Sequence, residues 1–330
     1  MSLLRHDLYI GSARAYIDPP KPVDKAIITH AHGDHARSGH KHVLATPETI
    51  GIMKLRYGPD CAGSFQPVAY HNPVKIGPVT ITFYPAGHIL GSAQILLECE
   101  GQRIVVSGDY KRNNDRTCPA FEPVPCDIFV TEATFGLPVF QHPDPQAEIA
   151  KLLHSIKNFP EQSHLIAAYS LGKTQRLIKL LRLAGYDDPI YLHGSAIAIC
   201  DFYQENGVDL GDLHKATGLA KGALKGCLVI APPSVLKEPW SRRLTDPILG
   251  MASGWMTVKQ RVRQAGVEMP LVISDHADWN ELTATIRDTG AGEIWVTHGR
   301  EDALVHWCQT QGLKAAPLHL QGRDEAEAEE

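Results

Sequence analysis

The chain has 330 residues, 43% of them hydrophobic, and a formal net charge of −5, so it can bury a full core and is long enough for two lobes. Its seven cysteines form no C-x-x-C pair, no charged-then-apolar leader opens the sequence, and no run reaches the roughly 18 apolar residues of a membrane span. The expectation is a reducing, cytoplasmic setting with no membrane partner, and the acidic tail accounts for −4 of the −5, leaving a body near −1 that is not coated in basic charge.

In chain order, Leu8-Tyr9-Ile10 and Ala15-Tyr16-Ile17 read as a strand pair, and Asp18-Pro19-Pro20 as a turn. The apolar run Ala26-Ile27-Ile28 suits a buried strand and leads into Thr29-His30-Ala31-His32-Gly33-Asp34-His35. Three imidazoles and one carboxylate fall within six residues, and these are ligands of zinc and the other borderline divalent metals. Gly33 is expected to let the backbone turn so that alternate side chains converge. One ion would hardly use all four groups. The spacing predicts two adjacent metals, His30 and His32 facing one, Asp34 and His35 facing the other. Asp18 is either a buttress behind this cluster or a turn aspartate.

Pro47 to Tyr57 has helical spacing with Thr46 as N-cap. The strand Val79 to Tyr84 runs into Gly87-His88, and a hairpin of Gln94 to Cys99 with Arg103 to Ser107 runs into Asp109. A further strand, Asp127 to Val130, runs into Glu132. Each strand thus ends in a polar constellation, the way active sites are built on sheet scaffolds. Asp109 is placed to bridge two metals.

From about 137 the ligand series pauses and a new α/β pattern begins: a helix over 145–159, a strand over 164–168, a helix from Ser170 to Leu183 and a strand over 228–231. Gly172-Lys173-Thr174 lacks the full phosphate-loop pattern, which argues against nucleotide hydrolysis. After Pro270 the pattern predicts a strand over 271–274 ending at His276, a helix over 279–289, a strand over 293–297 ending at His298, and a helix over 302–311. The expected organisation is a first lobe over 1–136, an insertion over 137–270, the return of the first lobe over 271–321, and a disordered acidic tail over 322–330.

The series His30-x-His32-x-Asp34-His35, Gly87-His88 and Ser107-Gly108-Asp109 resembles the metal signature of the metallo-β-lactamase superfamily. Glu132-Ala133-Thr134-Phe135-Gly136, Ser274-Asp275-His276-Ala277-Asp278 and His298-Gly299-Arg300 resemble a narrower group within it, the β-CASP nucleases, and the wording is most similar to bacterial exonucleases associated with a DNA ligase. The resemblance implies an α/β fold, an αβ/βα sandwich carrying an inserted β-CASP cap. It implies metal ligation by His30, His32, His88 and Asp109 at one ion and by Asp34, His35, Asp109 and His298 at the other, with zinc the expected metal and manganese a substitute. The implied reaction is hydrolysis of DNA phosphodiesters by a metal-activated water, with Asp34, Glu132 and His276 catalytic and Glu132 orienting His276. An RNA-processing nuclease is the near alternative; a non-catalytic scaffold and a small-molecule hydrolase of the same fold are farther ones. A DNA ligase and a helicase are the implied partners. Lys173 and Arg176, at a helix N-terminus, are expected either to bind a backbone phosphate or to form a solvated helix face. Ser253 and Gly254 belong to a small-residue loop that in the group approaches the scissile phosphate. Trp255 is core or a stacking platform, and Arg242, Arg243, Lys259, Arg261 and Arg263 either track a strand or are plain surface.

Overall fold

The computed structural model describes residues 3–114 and 116–318; the acidic tail expected over 322–330 lies outside them. The described chain forms two compact units, one of 3–114, 118–141 and 276–318, the other of 116–117 and 142–275.

The first unit is a four-layer αβ/βα sandwich. Its smaller sheet takes five strands in chain order: Tyr9–Ile10, Ala15–Ile17, Lys25–Ile27, His40–Ala45 and Ala62–Pro67. Its larger sheet has seven, in the order Lys314–Pro317, Glu293–Gly299, Ile128–Ala133, Gln102–Val106, Ala93–Cys99, Val79–Pro85, Val74–Ile76. The first four of these run parallel and the last three complete an antiparallel meander. Alternation of side chains sets the layers. Ile17, Ile27 and Leu44 from one sheet meet Ile81, Phe83 and Val130 from the other in a core between them. The opposite faces are also apolar, so each needs a cover. Ile50 and Met53 of the helix Pro47–Tyr57 pack on Ala26, Ile28 and Val43. Leu282, Ile286 and Leu304, from the helices Trp279–Thr289 and Glu301–Thr310, pack on Leu96, Phe129 and Ile294. Each such fully buried aliphatic or aromatic side chain contributes ~1.5–3 kcal/mol.

The helix Pro47–Tyr57 starts where the sequence puts it. Thr46 Oγ1 accepts the Thr49 N–H at 3.2 Å, and Pro47 occupies a first-turn position that needs no N–H.

The second unit is built on a six-stranded parallel sheet in the order Leu213–Lys215, Ile190–Leu192, Leu228–Ala231, His164–Ala167, Ile248–Ala252, Met269–Leu271. The strand expected over 271–274 is a correction: the strand is Met269–Leu271, it pairs with Gly250–Ala252 at the edge of this second sheet, and the unit continues to residue 275. An apolar run such as Leu271-Val272-Ile273 cannot reveal its own end. Here the end is set by a side chain, because Val272 N–H donates to the Glu148 carboxylate at 3.0 Å instead of joining the ladder. No helix of the described residues is long and apolar enough to cross a membrane.

Candidate metal centre

The candidate centre is assembled within the first unit at the ends of its strands. The strand Lys25–Ile27 passes into a loop that closes on itself, His35 and Ala36 N–H both donating to the His32 carbonyl at 3.1 and 2.8 Å. The backbone turns at Gly33 as expected, but without left-handed backbone, so the turn alone does not require glycine there. A Cβ at 33 would instead lie 3.3 Å from the Tyr57 hydroxyl and 3.4 Å from Arg56 Nη2. Behind the loop, Asp18 is the buttress of the two readings left open. Its Oδ1 accepts Thr29 N–H at 2.8 Å, while its Oδ2 accepts the Thr29 hydroxyl at 2.5 Å and His35 Nδ1–H at 2.8 Å.

His88 hangs in a second tight loop after the strand Val79–Pro85. Ser92 closes it, its carbonyl accepting Ala86 N–H at 3.1 Å and its hydroxyl accepting the N–H groups of His88 and Ile89 at 3.1 and 3.2 Å. Asp109 follows the strand Gln102–Val106 and lies among the histidines, its Oδ2 3.4 Å from His30 Nε2, 3.5 Å from His35 Nε2 and 3.8 Å from His88 Nε2.

His298 arrives by a bulge. Glu132 pairs with Thr297 and Ala133 with Gly299, leaving His298 as the extra residue at φ 57°. The displaced imidazole stacks on His35 with centroids 4.9 Å apart. Gly299 makes the bulge feasible: it sits at φ 110°, and a Cβ there would collide with the Ala133 carbonyl.

Three groups of metal-competent side chains lie wholly within the first unit. The ligand atoms of His30, His32, His88 and Asp109 all lie within 4.8 Å of one another, as do those of Asp34, His35 and His298, and those of Asp109, Glu132 and His276. In the third group Glu132 Oε2 accepts His276 Nδ1–H at 3.0 Å while its Oε1 accepts Tyr110 N–H at 2.8 Å. The Tyr110 carbonyl in turn accepts Ala277 N–H at 2.7 Å, closing a ring that ties the segment after Asp109 to the His276 loop.

The donor set fits divalent metal. His30 Nε2 and His35 Nε2 are buried and make no hydrogen bond, although each ring spends its Nδ1 on the scaffold, His30 on Thr29 Oγ1 at 3.1 Å and His35 on Asp18. Buried imidazole nitrogens oriented in this way are what metal ligation uses. Burial, reinforced by His35, His88 and His32, holds His30 well below the ordinary histidine range and therefore neutral, the ligating form. Burial would do the same to His35, but the carboxylates of Asp109, Asp34 and Asp18 prevail and raise it to about 9. Burial pushes Asp109 up to about 7, against His35 and with Glu132. Asp34, which burial alone would raise, is held below the usual carboxylate range by His35, His32 and His298.

The remaining expected site residues lie in the second unit. Lys173 and Arg176 open the helix Lys173–Leu183, and both are buried, which removes the solvated-face reading. The Lys173 ammonium lies 2.7 Å from Asp275 Oδ1. Ser253 caps the short 3-10 turn Gly254–Thr257, its hydroxyl accepting Trp255 N–H at 3.3 Å. Trp255 is half-buried beneath the Arg261 guanidinium, 5.0 Å from its ring centroid. Sequence reasoning missed Thr29, Ser92 and the Tyr110 backbone, whose roles exist only once the loops close.

The chain is 26% identical over 317 residues to a protein of Opitutus terrae named "Probable DNA ligase", an alignment covering 94% of this chain and 30% of that one. It is 25% identical over 358 residues to the "RNase J-like protein" of Methanocaldococcus jannaschii, covering 88% and 85% of the two. It is 34% identical over 299 residues to the "Endoribonuclease ysh-1" of Neurospora crassa, covering 68% of this chain and 35% of that one. The chain thus spans about a third of the ligase and of the fungal protein. A crystal structure of a protein of unknown function from Enterococcus faecalis V583 shares the fold, with a TM-score of 0.59 at 14% identity over 82% of this chain and 74% of that one. No family model matches.

Proposed function

The chain belongs to the β-CASP group of the metallo-β-lactamase superfamily, and on that premise we propose that it is a metal-dependent nuclease, a DNA exonuclease of a repair pathway. The observation that carries the proposal is Asp109, whose Oδ2 lies within 3.5 Å of histidines from the first two metal-competent groups while the Glu132–His276 pair stands beside it. His30, His32, His88 and Asp109 would hold one ion, and Asp34, His35, Asp109 and His298 the other. Bound there, two divalent ions, zinc by the preponderance of imidazole, supply Lewis acidity toward phosphoryl oxygens and lower the pKa of water.

The chain's own residues do the rest. Glu132, fixed by Tyr110 N–H, accepts the Nδ1 proton of His276, so it sets the ring orientation. From that position His276 donates to a phosphoryl oxygen or protonates the departing one. With a side chain 20% exposed, His276 can meet a ligand, whereas Glu132 is fully covered and acts only through it.

DNA as substrate is supported by the match of 94% of this chain to part of a protein named a DNA ligase, and a ligase and a helicase are the partners that reading implies. RNA is the second reading, supported by the relatives named RNase J-like and endoribonuclease. Purified, metal-analysed protein incubated with end-labelled single-stranded DNA and RNA of one sequence, with Asp109→Ala as control, separates them. Stepwise shortening of DNA from one end, absent in the control, is expected. Preferential cutting of RNA would establish the second reading, and cleavage of neither strand by metal-loaded protein would end both.

A further inference from the structure

We propose that Arg56 and Tyr57 form a nucleotide subsite at the rim of the candidate metal centre, the guanidinium taking a phosphate next to the scissile one and the phenol ring the adjoining base; this rests on the nuclease reading above.

Both residues end the helix Pro47–Tyr57 and both are exposed, Tyr57 at 38% of its surface. They lie against the metal loop itself. Arg56 Nη1 donates to the Ala31 carbonyl at 2.7 Å, between His30 and His32. Arg56 Nη2 and the Tyr57 hydroxyl stand 3.4 and 3.3 Å from where a Cβ on Gly33 would be, between His32 and Asp34. The bare glycine leaves that space to them.

Holding Ala31 in place accounts for one of five guanidinium donors. Among the described residues no carboxylate pairs with Arg56, and the Tyr57 hydroxyl has no hydrogen-bond partner. An arginine kept free of counter-ions beside a cluster built for cations is matched by an anion that approaches the same cluster, and its planar fork fits a phosphodiester. The guanidinium carbon lies 5.2 Å from the Tyr57 ring centroid, so charge and π-face are presented together. Paired charge and aromatic face are how single strands are bound without regard to sequence.

The test uses full-length, zinc-loaded protein and a fluorescent single-stranded DNA, with binding read by anisotropy, cleavage by gel, and metal content and melting temperature measured alongside. Arg56→Leu and Tyr57→Leu are each expected to weaken binding about tenfold, the size of one charge-assisted hydrogen bond or one stacked base, with the loss in KM rather than kcat. If Arg56→Leu also sheds metal, its loop contact is responsible, and Tyr57→Leu, which makes no hydrogen bond to the loop, decides. Variants that bind the strand as wild type does would overturn the subsite and leave the nuclease reading standing. Wild type that binds through Arg56 and Tyr57 yet cuts no strand overturns the nuclease reading alone, and wild type that does not bind overturns both.

Discussion

Replacing Asp18 by Asn keeps the shape of the side chain and removes its charge at the point where scaffold and candidate metal centre meet. Three hydrogen bonds converge on this buried carboxylate. An amide can still accept Thr29 N–H through its oxygen, and the Thr29 hydroxyl can rotate to accept from the new NH₂. His35 Nδ1–H cannot adapt, because its Nε2 faces Asp109 and Asp34 and the ring would have to surrender one nitrogen or the other. One charge-assisted hydrogen bond is therefore lost outright, worth ~1.5–3 kcal/mol. Loss of such an orienting carboxylate typically lowers metal affinity ~10- to 100-fold, the same magnitude reached from the other side. Competition of zinc-loaded Asp18→Asn against a chromophoric chelator should show this loss, with circular dichroism unchanged. An affinity within about threefold of wild type would mean that Asp18 is only a turn residue and that the loop orients His35 unaided.

Two further substitutions address the centre's other supports. His276→Ala should retain both metals by elemental analysis yet lose ~10²-fold or more in turnover, as expected for a general acid or phosphate donor; a variant that lost its metal or its fold would make His276 structural. Gly299→Ala should lower unfolding free energy in urea by ~2–4 kcal/mol, because the new methyl meets the Ala133 carbonyl in a backbone conformation at φ 110° that disfavours a side chain. A change below about 0.5 kcal/mol would show the bulge at His298 to be soft.

What the sequence discloses about this centre depends on whether an interaction is local. His30, His32, Asp34 and His35 announce themselves by density within six residues, and the structure draws His88 and Asp109 to them because each follows a strand of the same sandwich. The helix Pro47–Tyr57 was equally legible, since its cap and first-turn proline are neighbours in sequence. Supports that depend on loop closure leave no such trace. Ser92 in itself is an ordinary serine, and Glu148, which ends the strand at Leu271 from 124 residues away, is an ordinary helix glutamate. Gly33 shows the intermediate case: the residue was conspicuous, but its reason, the approach of Arg56 and Tyr57, lay in a different element.

The pairing of oriented with orphaned nitrogens in His30 and His35 has a thermodynamic consequence. A buried polar atom without a hydrogen bond costs ~1–3 kcal/mol, and Nε2 of the neutral His30 is one. Ligation removes that penalty, so zinc should raise the melting temperature, by the equivalent of ~2.7 kcal/mol at a hundredfold excess over Kd. The pH dependence follows from the same two residues. In chelated protein His35 titrates near 9 against ~6.5 unfolded, so its stabilising contribution is complete below about 6.5 and is lost as pH rises through 9. His30 is held neutral below the ordinary range, so its contribution is lost as pH falls below about 6.5. The contributions of these two histidines are jointly complete near pH 6.5. Zinc needs His35 deprotonated, so binding becomes stronger toward pH 9 while the chelated form weakens. Thermal denaturation with zinc and with chelator across pH 6 to 9 should show the two melting temperatures diverging upward in pH; a constant gap would mean that His35 is already neutral before the metal arrives and that the three carboxylates around it do not act as the geometry indicates.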